Sequence, residues 1–293
     1  MSRDHAHLAP TAAALLDCPK AERLEAIHED RWVTYPRARF ALEILETLLV
    51  RPRTTRMTSI AVYADSGMGK TMLMERFKRA HPPAYDPNER RMIAPVLALQ
   101  MASYATERRF YGQLLTSIGV PFSPRATIMD LEIQALRNLR RMDVKVLMLD
   151  EVHNILAGSA REQRIVLNML RYLSNELRIS LVCLGISEAR EAIGGDVQLA
   201  RRFEELILPR WQGDEEFQDL VVAVLRHLPL RTASQISARA LRQVLQATDG
   251  ITARVFRLFN DLAADAIASG AECITDESVA AWRPMTRPTP AFA

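Results

Sequence analysis

Only three cysteines occur in the chain, Cys18, Cys183 and Cys273, an odd number set far apart and without metal-ligand spacing. They support neither a disulfide framework nor a zinc centre, and Cys183, inside an apolar run, reads as core. Long hydrophobic runs are missing too. The longest stay under about ten residues, against the ~20 needed to cross a bilayer. Near the start only TAAALL precedes Asp17, a poor secretory core, so a cytoplasmic protein with no membrane partner is expected. Lysine is confined to positions 20, 70, 78 and 145, so the basic residues are almost all arginine, and the net charge of +3 is too small to imply nucleic-acid binding by itself. The six histidines are scattered and form no His-x-x-x-His pair. Gly185-Ile186-Ser187 lacks the hydrolase nucleophile pattern, no helix-turn-helix or zinc-finger spacing is present, and no internal repeat is visible.

What is present is an ordinary globular composition, 48% apolar and 25% charged, long enough at 293 residues for one large domain or a core plus a smaller one. Short apolar runs at 59–64, 94–100, 144–150, 179–185 and 205–209 read as buried strands. The segments between them, 70–80, 108–118, 127–142 and 161–177, repeat apolar residues at three- and four-residue spacing, as amphipathic helices do. This alternation predicts a parallel sheet covered on both faces. After Trp211 the strand signal stops, and 215–228, 237–248, 252–270 and 275–282 read as helices, some opened by Ser, Thr or Asp caps. The expected division is an N-terminal arm at 1–40, an α/β core at 41–213, a helical lid at 214–283 and a flexible tail at 284–293.

The stretch Ala64-Asp-Ser-Gly-Met-Gly-Lys-Thr71 lies between a strand and a helix, where a glycine-rich turn aims backbone N–H groups and a helix N-terminus at phosphates. Asp65, Ser66, Gly67, Met68, Gly69, Lys70, Thr71 and Met72 form the expected cradle. Lys70 reaches the β- and γ-phosphates and Thr71 offers its hydroxyl to Mg²⁺. Ala64 stands where such loops usually open with glycine, which is harmless if its φ is negative. About 80 residues on, the apolar run Val146-Leu-Met-Leu ends in Asp150 and Glu151, at the strand edge where open α/β sheets bind ligands. Asp150 is then the second Mg²⁺ group, and Glu151 the group that orients or activates water for attack on the γ-phosphate. Together these motifs predict an ATP and Mg²⁺ site. His153, beside Glu151, reads as helix-start packing rather than a proton shuttle.

An extra strand between the two motifs, with Glu directly after the metal Asp, resembles the AAA+ branch of P-loop ATPases. The fold class expected is therefore an AAA+ P-loop NTPase, a five-stranded parallel sheet flanked by helices, plus a small C-terminal all-α lid. Residues 149–189, 196–211 and 228–231 resemble the TniB proteins, transposition regulators related to TnsC, MuB and IstB, and the likeness extends over most of 30–280. It implies an ATPase that oligomerises on duplex DNA as a ring or helical filament, without strong sequence preference, and helps select the target. It also implies a DDE-type transposase as partner, a possible TniQ-like targeting protein, and a bacterial cytoplasmic protein associated with the nucleoid when on DNA. Within Gln198–Glu204 the resemblance is to an arginine-finger segment, so Arg201 or Arg202, the latter preferred, reaches the nucleotide of a neighbouring subunit. Arg254 matches the start of a lid helix whose arginine contacts the γ-phosphate. Tyr35 and Pro36 fall where related proteins line the adenine pocket, though Tyr35 with Trp32 could equally anchor the N-terminal helix. Related proteins also carry a polar residue at the end of the fourth strand. Here Ile186 follows Gly185, leaving Ser187 the nearest small polar group.

Three arginine clusters qualify for DNA: 51–56, 104–109 and 137–141. The second follows a strand and opens a helix, and Thr106, Arg108 and Arg109 are the expected backbone contacts. Two other readings share the ATP site: a replication-initiator or helicase-loader-like protein, and a signalling ATPase for which DNA plays no part. An initiator would carry a winged helix after residue 283.

Overall fold

The computed structural model describes residues 5–283; the tail expected at 284–293 lies outside them. In chain order the elements are α1 (Pro10–Ala14), α2 (Lys20–His28), α3 (Pro36–Val50), β1 (Ser59–Ala64), α4 (Lys70–Ala80), β2 (Ala84–Asp86), β3 (Arg91–Ile93), β4 (Val96–Gln100), α5 (Glu107–Ser117) and α6 (Ile128–Arg141). There follow β5 (Val146–Asp150), α7 (Ala160–Leu177), β6 (Ser180–Gly185), α8 (Glu188–Gly194), α9 (Val197–Ala200), β7 (Phe203–Leu208), α10 (Glu215–Arg226), α11 (Ala238–Thr248), α12 (Thr252–Ser269) and α13 (Asp276–Ala281). They group into two compact units, one of residues 38–209 and one that joins the N-terminal segment through residue 37 to the chain from 210 onward.

In the first unit the five apolar runs pair in parallel in the order β4-β5-β6-β1-β7. The three central strands are buried along their whole length, which is why they read as continuous apolar runs rather than alternating ones. Ala61, Tyr63, Leu147, Leu149, Leu181 and Cys183 face one side and join a core with the buried stripes of α5, α6 and α7. The intervening residues point to the other side, where α4, with Leu73, Met74 and Phe77 buried, packs across β4, β5 and β6. Each such fully buried Leu, Met or Phe contributes roughly 1.5–3 kcal/mol. Capping boxes at Thr127–Asp130 and Ser159–Glu162 start α6 and α7, fixing where the chain leaves the turn.

One feature absent from the strand pattern is a hairpin of β2 and β3, Ala84 opposite Ile93 and Asp86 opposite Arg91. Each strand is three residues long and none of its residues is buried, so neither periodicity nor an apolar run marks it. The turn is written in Asp86, whose Oδ1 accepts from the Asn88 and Glu89 N–H groups, an Asx turn.

The second unit packs α2, α10 and α11 against α12 and α11 against α13. The helical repeat brings Val255, Phe259, Leu262 and Ala266 of α12 into its interior. Among these apolar groups Arg23 is 1% exposed. Its guanidinium donates to the Pro229 carbonyl through Nε and Nη2 and to both carboxylate oxygens of Glu272, 2.9 Å at Nη1. Removing the acid alone strands a buried cation, so Glu272→Ala is expected to destabilise the protein by about 3–5 kcal/mol in urea denaturation. A loss under ~1 kcal/mol would show that Arg23 finds another anion or water. The Arg23 hydrogen bond holds the Glu272 carboxyl below its ordinary value. A depressed acid contributes stability that is present above its unfolded pKa and lost as pH falls through the folded value. The difference between wild type and Glu272→Ala should therefore shrink on acidification from about pH 5 downward.

Candidate functional site: a phosphate loop facing two carboxylates

The loop after β1 turns into α4 through Gly67 at φ 79° and Gly69 at φ 96°. Only glycine takes these left-handed values without strain. Gly69 is the N-cap of α4, and a β-carbon added there would meet nothing within 4 Å, so backbone freedom rather than crowding requires glycine. The residue in the position of the usual first glycine, Ala64, needs no such freedom. It is the last residue of β1, paired with Leu208 of β7, and is not among the positive-φ residues.

Lys70, the first residue of α4, is 5% exposed and curls into the loop, its Nζ donating to the carbonyls of Ala64 at 2.7 Å and Asp65 at 3.0 Å. Burial pushes its ammonium below the ordinary value, against the raising pull of Glu151, Asp150 and Asp65. Thr71 Oγ1 donates to Asp150 Oδ2 at 2.6 Å. Asp150, the last residue of β5 and 2% exposed, also accepts from the Glu151 N–H at 2.9 Å, and its own carbonyl accepts from Met101 N–H. So the loop and the acidic pair, 79 residues apart in sequence, meet through a direct hydrogen bond. Glu151 has left-handed backbone, φ 56° and ψ 40°, and its Oε2 lies 3.0 Å from His153 Nε2. A side chain at αL costs about 1 kcal/mol or more, a strain that collects at functional sites.

The residues fit a triphosphate with its metal. Lys70 offers a cation within the loop, and the Thr71 hydroxyl and Asp150 carboxylate, the groups that would hold a divalent ion, already touch. Among the described residues no cluster of three or more His, Cys, Asp or Glu could hold a metal. Mg²⁺ completes its shell with phosphates and water and needs no such cluster.

The two expected finger arginines lie elsewhere in the first unit. Arg201 and Arg202 precede β7, and the Arg202 carbonyl accepts from Ser59 N–H at the start of β1. They therefore stand at the opposite end of the sheet from the loop, about 20 Å away along a six-residue strand. Arg202 Nη1 bonds Asn175 Oδ1, and burial, then Arg56 and Arg171, lowers its guanidinium from the usual value. Thr106 is the N-cap of α5 and accepts from Arg109 N–H. Arg108 donates to the carbonyls of Ala126 at 2.6 Å and Pro124 at 2.5 Å, and Arg109 to that of Tyr104. Of the other clusters, Arg53 pairs with Asp143 and Arg140 with Glu176.

Tyr35, Pro36 and Arg254 belong to the helical unit. The Tyr35 ring packs edge-on against Trp211 at 5.4 Å, and burial raises its hydroxyl pKa. Pro36 begins α3, and Arg254, in the first turn of α12, is paired with Asp249. Ser187 is exposed and donates to the Glu188 carboxylate. The approach of His153 Nε2 to Glu151 Oε2 is a geometry that sequence reasoning did not give. Its only signal was the two-residue spacing.

Residues 23–213 match the family model described as Bacterial TniB protein. No curated protein matches the chain. Among solved structures, the Aeropyrum pernix ORC1 protein in complex with DNA superimposes at TM-score 0.62 and 16% identity, over 88% of this chain and 67% of that one. The ORC2 protein of the same organism gives 0.60 and 16%, over 87% and 69%. Domain III of the Thermotoga maritima replication initiation protein DnaA gives 0.53 and 16%, over 93% and 95%. The fold is that of the AAA+ ATPases, a five-stranded parallel sheet with flanking and C-terminal helices.

Proposed function

Because the chain belongs to the TniB family, we propose that it is an ATP-dependent regulator of DNA transposition. In its ATP state it oligomerises on duplex DNA, helps select the target and recruits or activates a transposase of the DDE type, with hydrolysis resetting the assembly. One observation carries the nucleotide half of this reading: Thr71 and Asp150, from loop and strand end, converge at 2.6 Å beside Lys70. ATP bound with Mg²⁺ would supply the phosphoryl group. Lys70 would neutralise its charge, Thr71 and Asp150 would hold the metal, and Glu151 would orient water.

The position of Arg201 and Arg202 supports the oligomer. At the amino ends of β1 and β7, on the far edge of the sheet, they cannot serve the loop of their own chain. A heterologous contact between copies would bring this edge to a neighbour's loop, in a closed ring or an open filament, and couple hydrolysis to assembly. Sedimentation of the protein with duplex DNA and a non-hydrolysable ATP analogue should show large complexes that Arg202→Ala disperses. Monomer in every nucleotide state would rule the oligomeric switch out.

DNA contact is assigned to the start of α5. Arg109→Ala is expected to weaken duplex binding equally across sequences and to lower the slope of log K against log salt by about one. An unchanged slope would remove this residue from the interface. Arg108 would first have to release two carbonyls, and Thr106→Ala forfeits a helix cap at about 1 kcal/mol, so Arg109 gives the cleaner reading.

A further inference from the structure

The parallel sheet of the first unit sends the amino ends of its five strands to one edge, opposite the phosphate loop, and cations collect there. Lys145 directly precedes β5, Arg178 lies two residues before β6, and Arg51 and Arg53 follow α3. These four line a hollow of about 560 Å³, within the range of about 300–1,000 Å³ that ligand sites occupy. Leu48 and Met57, buried, and Leu49, half-buried, give it an apolar floor. Beside them Val50, also in the lining, is 83% exposed.

The charge of the hollow is not balanced from within. Asp143 is the one carboxylate in its lining, and Arg53 engages it at 2.6 Å. Arg51 stands 3.8 Å from Glu204, Lys145 Nζ donates to the Leu49 carbonyl at 3.3 Å rather than to an acid, and the Arg178 guanidinium has no hydrogen bond or ion pair among the described residues. Three cations therefore face the hollow with little to neutralise them. The carboxyl ends of α3 and α7 favour cations at Arg51 and Arg178, but that accounts neither for Lys145 nor for a valine left bare beside them. Arg178 caps α7 with left-handed backbone, φ 50° and ψ 53°, where glycine or asparagine would be less strained. We infer that this hollow docks an acidic segment of a partner protein, its carboxylates meeting Arg51, Lys145 and Arg178 and an apolar side chain entering beside Val50. Charge complementarity fixes the sign of the partner. The apolar floor favours a peptide over duplex DNA, whose backbone offers phosphate and sugar but no side chain to fill the hollow. Of the proposed function, the inference rests only on the recruitment of a protein partner.

The probe is a fluorescein-labelled hexapeptide with two central leucines between paired glutamates, followed by anisotropy on the full chain without nucleotide or DNA. Hexaglutamate and the lysine counterpart of the mixed peptide serve as controls. The mixed peptide should bind in a salt-sensitive way and at least about fivefold more tightly than hexaglutamate, and the lysine peptide should not bind. Arg178→Glu should weaken the mixed peptide at least about tenfold. Val50→Ser, at a position exposed enough to leave folding alone, should erase the preference over hexaglutamate. Both variants should keep the wild-type melting temperature and the analogue-dependent complexes on duplex DNA. No binding of the mixed peptide at about 1 mM, equal affinity for all three peptides, or unchanged binding by Arg178→Glu would overturn the inference and leave the ATPase reading intact. Displacement of the peptide by duplex, with duplex binding weakened in Arg178→Glu, would overturn it in favour of DNA. Dispersal of the complexes by Arg178→Glu would instead give the hollow to the contact between copies.

Discussion

Lys70→Ala is expected to weaken ATP binding by a factor of about 100 or more, some 2.7 kcal/mol, and with it to abolish nucleotide-dependent assembly on DNA. The size follows from the surroundings. Lys70 Nζ sits among the Ala64 and Asp65 carbonyls, and Asp65, Asp150 and Glu151 all raise its pKa. Removing the ammonium would leave a triphosphate to approach three carboxylates and two carbonyl dipoles with no cation but its own Mg²⁺. Charge-assisted contacts in a partly desolvated loop are about twice as strong as neutral ones, and their loss is compounded by the acids left behind. Lys70→Arg separates charge from fit: it keeps the cation, yet its planar fork is too large for a residue only 5% exposed. Binding of a fluorescent ATP analogue to Lys70→Ala within threefold of wild type would show that the loop is not the nucleotide site.

Glu151→Gln should act on the other half of the cycle. The side chain keeps its length and shape, so the local geometry at the left-handed residue is preserved. Proton acceptance by the carboxylate is lost, and turnover is expected to fall by about 10²–10⁴, with analogue affinity changed little. If hydrolysis resets the assembly, this variant should hold duplex DNA in the presence of ATP itself, where wild type releases it as ATP is consumed. A Glu151→Gln protein that hydrolyses ATP at the wild-type rate would move the water-orienting role elsewhere. Release of DNA at the wild-type rate, with hydrolysis blocked, would uncouple the two events.

The two motifs were legible because each is local chemistry on a buried strand end. Gly67 and Gly69 are written as glycine because their φ values demand it. Asp150 follows four apolar residues that lie inside the sheet. The five strands could be read for the same reason: β1, β5 and β6 are buried on both faces, so their hydrophobicity is continuous rather than periodic. The β2–β3 hairpin could not, since exposed three-residue strands carry no burial signature. Grouping of the first 37 residues with the C-terminal helices depends on contacts such as Arg23 to Glu272, 249 residues apart, and a lone buried arginine looks in sequence like any surface one.

The arginines show what a sequence cluster leaves out. Arg108 looks free in Tyr104–Arg109, yet it closes two carbonyls of the loop ahead of α6. Arg201 and Arg202 look like a surface pair flanking a strand, yet their place at the amino edge of the sheet is what would give them a role between copies rather than within one.

The central claim is that nucleotide state controls the grip on duplex DNA. It is tested most directly by fluorescence anisotropy of the purified protein on unrelated duplexes, with ATP analogue, ADP or no nucleotide, across a salt series. The account predicts tight, salt-sensitive, sequence-indifferent binding with the analogue alone. Equal binding in all three states, or none in any, would contradict it.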